Sequence, residues 1–237
     1  MTLDYDNRTG RPVGRVTTAL GLVLPGVRRV RARAEEYADT WHARNLVTLA
    51  ATGPRWVVLG DSMSQSVGAS SVDAGWVGQL ASRLGTACPP ILNLSATGAR
   101  AADVLTQQLG VLARLDARAP RRDPARDLVT VMVGSNDLFA GAQVRTALAG
   151  TFARLLDELP DGSVVTTLPQ PARAAQEVNR LVEAARDAGR VRVVDMRTAG
   201  PDSWSGKLAA DFFHPNDDGY TGIADAFEPV VRRVLGS

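Results

Sequence analysis

Five short apolar runs, at 56–59, 91–94, 128–133, 164–168 and 191–194, alternate with stretches of helical periodicity near 76–84, 101–118, 143–159 and 172–188. A last helical stretch follows near 217–234. No other feature restricts the fold of this chain as much. The runs are short and largely continuous, the pattern of strands covered on both faces. Strand and helix in regular alternation build parallel βαβ units. The expected fold is therefore α/β, three layers deep, around a doubly wound five-stranded parallel sheet. It is expected to occupy residues 54–237, after an N-terminal extension at 1–53.

The extension reads differently from the rest. Residues 1 to about 15 are polar and turn-rich and are expected to be poorly ordered. From 26 to 44 the pattern is helical: Val27, Val30, Ala34, Tyr37 and Trp41 recur at steps of three and four among charged residues. This stripe is expected to pack on the following domain; membrane binding through Arg28, Arg29, Arg31 and Arg33 is the less favoured alternative. Residues 51–55, ATGPR, read as a linker. Charged residues are 22% of the 237 and sum to a formal +2, with acids interleaved among the arginines, so no nucleic-acid partner is expected. Cys88 is the only cysteine, which excludes an intrachain disulfide and a cysteine metal cluster. The apolar run at 19–24 is too short to span a bilayer and lacks the layout of a signal peptide, so a cytoplasmic location is expected.

In a doubly wound sheet, ligands bind beyond the carboxyl ends of the strands. Gly60-Asp61-Ser62, Ser95-Ala96-Thr97-Gly98 and Gly134-Ser135-Asn136-Asp137 each follow a predicted strand and should gather at one rim. Singly, each also reads as an ordinary turn or helix cap. Together they contain the parts of a nucleophilic site. A serine hydroxyl needs a base, and the base needs a group that fixes its tautomer. Of the two histidines, His42 lies in the extension, whereas His214 stands just before the last helix with Asp211 three residues ahead. One turn of that spacing lets Asp211 hold Nδ1 and leaves Nε2 for Ser62. Candidate donors for a developing oxyanion are the Ser62 N–H, the Gly98 N–H and the Asn136 amide. A metal held by Asp211, His214, Asp217 and Asp218 is the minor alternative, because no second histidine is near.

This order of blocks resembles the SGNH/GDSL hydrolase family over roughly residues 55–235. The resemblance implies a flavodoxin-like sheet, Ser62 as nucleophile, His214 as base and Asp211 as its orienting acid. It also implies an oxyanion hole of Ser62, Gly98 and Asn136, and no cofactor or metal. Met63 stands where the family usually has Leu and Ser64 where Thr is common, and the extension lies outside the resemblance. The G-x-S-x-G elbow of other hydrolases is excluded, since Ser64 occupies its last glycine. The expected function is esterase or lipase cleavage of a small-molecule acyl ester or thioester through an acyl-serine. Acyl transfer at the same site and a non-catalytic ligand-binding module are the alternatives. The loops at 63–75, 137–142 and 169–173 would set the substrate.

Overall fold

The apolar runs form one sheet. In the computed structural model, which describes residues 3–11, 25–117 and 127–236, the strands are β1 (Trp56–Gly60), β2 (Ile91–Asn93), β3 (Leu128–Met132), β4 (Ser163–Thr166) and β5 (Val191–Val194). All pairings are parallel, in the order β2-β1-β3-β4-β5. The order reverses at β1, which places the switch point beside the end of that strand. Successive side chains point to opposite faces, so Val57 and Leu59 enter one core layer while Trp56 and Val58 enter the other.

The helices follow the same logic. We number them α1 (Pro25–Thr48), α2 (Trp76–Leu84), α3, α4 (Ser135–Leu138), α5 (Ala142–Glu158), α6 (Arg173–Asp187) and α7 (Asp217–Leu235). Helix α3 runs as Ala101–Asp103, a π-helical Val104–Gln108 and Leu109–Ala117; residue 118 of the predicted helix lies outside the described residues. Helices α3, α5 and α6 cover the Val57 face, and α2 and α7 cover the Trp56 face. Asn216 caps α7, its side chain accepting from the Gly219 N–H at 3.0 Å, and Asp217 and Asp218 fill the first turn. No described helix is long and apolar enough to cross a membrane.

The N-terminal region differs from expectation in one respect. Residues 3–11 are placed along the β2 edge rather than left loose, while 12–15 and the apolar run at 19–24 lie outside the described residues. Leu3 joins the core, Asn7 is fully buried, and Arg8 bridges Thr97 in parallel. Helix α1 extends to Thr48 and buries its stripe on the rest of the fold: Val30 and Ala34 against Val67 and Ala209, and Tyr37 and Trp41 in the Trp56 layer. A buried network carries this contact inward. Asn45 accepts from the Asn93 N–H at 2.8 Å and donates to the Asn93 carbonyl at 2.6 Å and to Asn7 Oδ1 at 3.1 Å. The predicted linker ends in structure too, because Arg55 is buried between Asp127 and Asp116 at 3.1 and 2.7 Å.

Candidate active site

β1 ends on Gly60, where any Cβ would stand 2.4 Å from the Met132 carbonyl oxygen of the neighbouring strand. Only glycine fits there, and the chain turns sharply from it into Asp61 and Ser62. Ser62 Oγ lies 2.9 Å from His214 Nε2, although 152 residues separate them. His214 Nδ1 lies 2.6 Å from Asp211 Oδ2. The other oxygen of Asp211 accepts from the backbone N–H groups of Phe213 and His214, each at 3.1 Å. Between them Phe212 takes φ +57°, a left-handed turn that brings residues 211 and 214 to the same side.

The electrostatics suit this arrangement. Burial acts to raise the Asp211 pKa, but the hydrogen bond from His214 and the backbone donors outweigh it and hold the carboxyl below its ordinary range. Asp211 is thus a carboxylate at neutral pH, and a carboxylate accepts from Nδ1–H. That fixes the tautomer with Nε2 as acceptor for the Ser62 hydroxyl proton. Asp61, one residue before Ser62, behaves oppositely. Burial pushes its pKa up to about 7, although the Met63 N–H donates to its Oδ1 at 3.0 Å and acts to lower it, and the nearby Asp137 adds to the rise. Asp61 Oδ2 is buried with no hydrogen-bond partner among the described residues.

Ser62 opens on a cavity of about 600 Å³. Its walls come from the ends of β3 (Met132, Val133, Asn136, Phe139), β4 (Thr166, Leu168, Gln170) and β5 (Met196, Arg197), and from Trp204, Leu208, Phe212, Phe213 and Ile223. The aromatic side chains stand at its exposed rim, where Phe139 and Phe213 meet edge to face at 5.4 Å and Phe213 meets His214 at 5.0 Å. No role for these aromatics is read from the sequence; the available signal is large apolar residues in predicted loops, and in the structure all four are exposed.

The remaining predicted residues fall in two places. Asn136 lines the cavity and donates from Nδ2 to the Ala99 carbonyl at 2.9 Å. Gly98 is not among the lining residues; it adopts φ +77° on the β2 side, and its carbonyl accepts from Arg11 Nη1 at 3.0 Å. Next to Asn136, Asp137 accepts from the Ala101 N–H at 3.0 Å, and burial lifts its pKa to about 6. Of the residues in the alternative metal reading, Asp217 is turned away to Ser70, bonding its N–H at 2.7 Å and its hydroxyl at 2.6 Å. His42 bonds the Tyr5 carbonyl through Nδ1 at 2.8 Å, within the N-terminal region.

A doubly wound sheet that carries a serine, a histidine and an aspartate in hydrogen-bond sequence at its carboxyl edge defines the class of α/β acyl hydrolases. Residues 58–221 match the GDSL-like Lipase/Acylhydrolase family, and the chain belongs to that family. Its fold is similar to that of TesA, at 24% identity and TM-score 0.54, over 76% of this chain and 99% of that one. It is also similar to a family 3 carbohydrate esterase of Clostridium thermocellum, at 17% identity and TM-score 0.56, over 78% and 98%. The salicylyl-acyltransferase SsfX3 of a tetracycline biosynthetic pathway shares the fold at 23% identity and TM-score 0.50, over 79% of this chain and 55% of that one. No curated protein matches the sequence.

Proposed function

We propose that the protein hydrolyses carboxylic esters or thioesters through an acyl-Ser62 intermediate. The observation that carries this reading is the relay Ser62 Oγ–His214 Nε2 at 2.9 Å and His214 Nδ1–Asp211 Oδ2 at 2.6 Å, at the mouth of a largely apolar cavity. In the first half-reaction Oγ bonds to the acyl carbon as its proton passes to Nε2, and Asp211 stabilises the imidazolium. The tetrahedral oxyanion is met by the Ser62 N–H, the Gly98 N–H and the Asn136 amide. His214 then returns the proton to the departing alkoxide or thiolate. In the second half a water gives a proton to Nε2 and attacks the acyl carbon; as the C–Oγ bond breaks, His214 passes that proton to Oγ, releasing the acid and free Ser62.

The family membership supports ester hydrolysis as the reaction, and the geometry supports these residues as its agents. The test is a p-nitrophenyl ester assay with a phosphonate reagent. Turnover should release free acid in step with nitrophenol, the reagent should modify Ser62 alone, and Ser62→Ala should be inactive while folded. Modification of another serine, or turnover by the alanine variant, would overturn the assignment.

A further inference from the structure

The N-terminal segment, which the family match at 58–221 does not include, reaches the loop that bears Gly98. Asn7 donates to the carbonyls of Asn93 and Ser95 at 2.7 and 2.9 Å, extending beside β2 as the chain leaves the sheet. Thr9 Oγ1 donates to the Thr97 carbonyl at 3.4 Å. Arg11 then spreads its guanidinium. Nη1 donates to the Gly98 carbonyl at 3.0 Å, and Nη2 reaches both oxygens of Asp103 at 2.8 Å. Asp103 itself caps the start of α3, accepting from the Arg100 N–H at 2.8 Å. A planar guanidinium presents its donors at fixed angles, so one side chain ties the Gly98 peptide to a helix end.

These contacts bear on the two peptide planes around Gly98. In a trans peptide the carbonyl and the N–H point in opposite directions, and no described peptide here is cis. Holding the Thr97 carbonyl from one side therefore directs the Gly98 N–H to the other. Holding the Gly98 carbonyl fixes the following plane and keeps φ at +77°. That conformation has no side chain to lock it, and a Cβ there would meet nothing within 4 Å.

We infer that Arg11 is a positioning residue for the reaction: it braces the Gly98 peptide from outside the cavity and so aims the Gly98 N–H at the oxyanion. This rests on the reading of Ser62 and Gly98 proposed above. Misplacing a group by about an ångström can cost about 100-fold in rate. Arg11→Ala should accordingly lower kcat by about 10–100-fold while KM stays within about twofold, because the donor acts mainly in the transition state. Added guanidinium ion should restore much of the kcat of Arg11→Ala and leave the parent unchanged. Arg11→Lys keeps the ion pair with Asp103 but not the fork; it should fall between the two, and it carries the test if the alanine variant does not fold. An unchanged kcat in these variants overturns the inference, as does a loss that guanidinium does not reverse and that KM shares equally. Phosphonate labelling in the same samples separates the two levels. If the parent labels at Ser62 but the variants keep full kcat, only the role of Arg11 fails; if the parent does not label at Ser62, the reading of the site fails.

Discussion

Asp61 lies next to Ser62 yet is held against its ordinary charge state. Burial lifts its pKa to about 7, whereas in the unfolded chain an aspartate titrates near 3.9. Between those values the folded protein retains a proton that the unfolded chain has lost. The contribution of this group to stability is therefore complete at low pH and is lost as pH rises through about 7. Asp61→Asn cannot ionise, so the Tm of the variant minus that of the parent should climb from pH 5 to pH 8; a flat difference would show that Asp61 does not titrate there. Asn136→Ala should lower kcat by about 10²–10³ with a smaller change in KM, as expected for a transition-state donor, and an effect confined to KM would make it a binding residue. Ser62, Asp211 and His214 were legible in the sequence because each sits in a short block at a predicted strand end or before the last helix. Arg11 was not: an arginine in a polar, turn-rich segment carries no local sign of a partner 87 residues away.

At the scale of elements, strand and helix periodicity foretold the succession of strands and helices along the chain and the buried stripe of α1. It could not show what lies beyond the stripe. Nothing in the periodicity marks Asn7, Asn45 and Asn93 as partners, and only the packing of α1 on β2 turns them into a buried hydrogen-bonded network. The division into an extension at 1–53 and a domain at 54–237 remains a proposal about folding, and α1 is the element that tests it. Trp41 is 1% exposed in the core layer shared with Trp56 and Trp76. Trp41→Ala should cost about 3–5 kcal/mol, a Tm fall of roughly 6–20 °C for a chain of this size, read by thermal unfolding. A fall of only a degree or two would mean that α1 is an appendage. The phosphonate should still label Ser62 in the folded variant, since Trp41 is not among the cavity-lining residues and its indole N–H donates to the Gln65 carbonyl at 3.3 Å.

For the whole molecule, strand order sets the shape of the cavity. Ser62 follows β1, and the walls continue past the ends of β3, β4 and β5. At about 4.8 Å between strands, this is roughly 14 Å of mostly apolar wall on one side of the nucleophile. On the other side the loop after β2 is covered by residues 7–11. An acyl chain should run along the first side, and each added methylene buried there is worth about 0.8 kcal/mol. From p-nitrophenyl acetate upward, kcat/KM should thus rise by about fourfold per methylene until the cavity is filled; a maximum at acetate would place the chain elsewhere. The sequence located the rim but not this asymmetry, because the cavity takes its form from loops whose shape no periodicity encodes.

The hydrogen bond between Ser62 and His214 also sets a schedule for the newly made chain. At 5–20 residues per second, roughly 8–30 s pass between synthesis of the serine and of the histidine that lies 152 positions later. By then β1 to β5, Asn136 and the N-terminal brace on the Gly98 loop have all been made. Until His214 follows, Ser62 lacks the imidazole that the proposed mechanism uses as its base. On the proposed reading, reactivity is thus deferred until His214 has been made, so a chain that stops between residues 194 and 214 carries all five strands and no activated nucleophile.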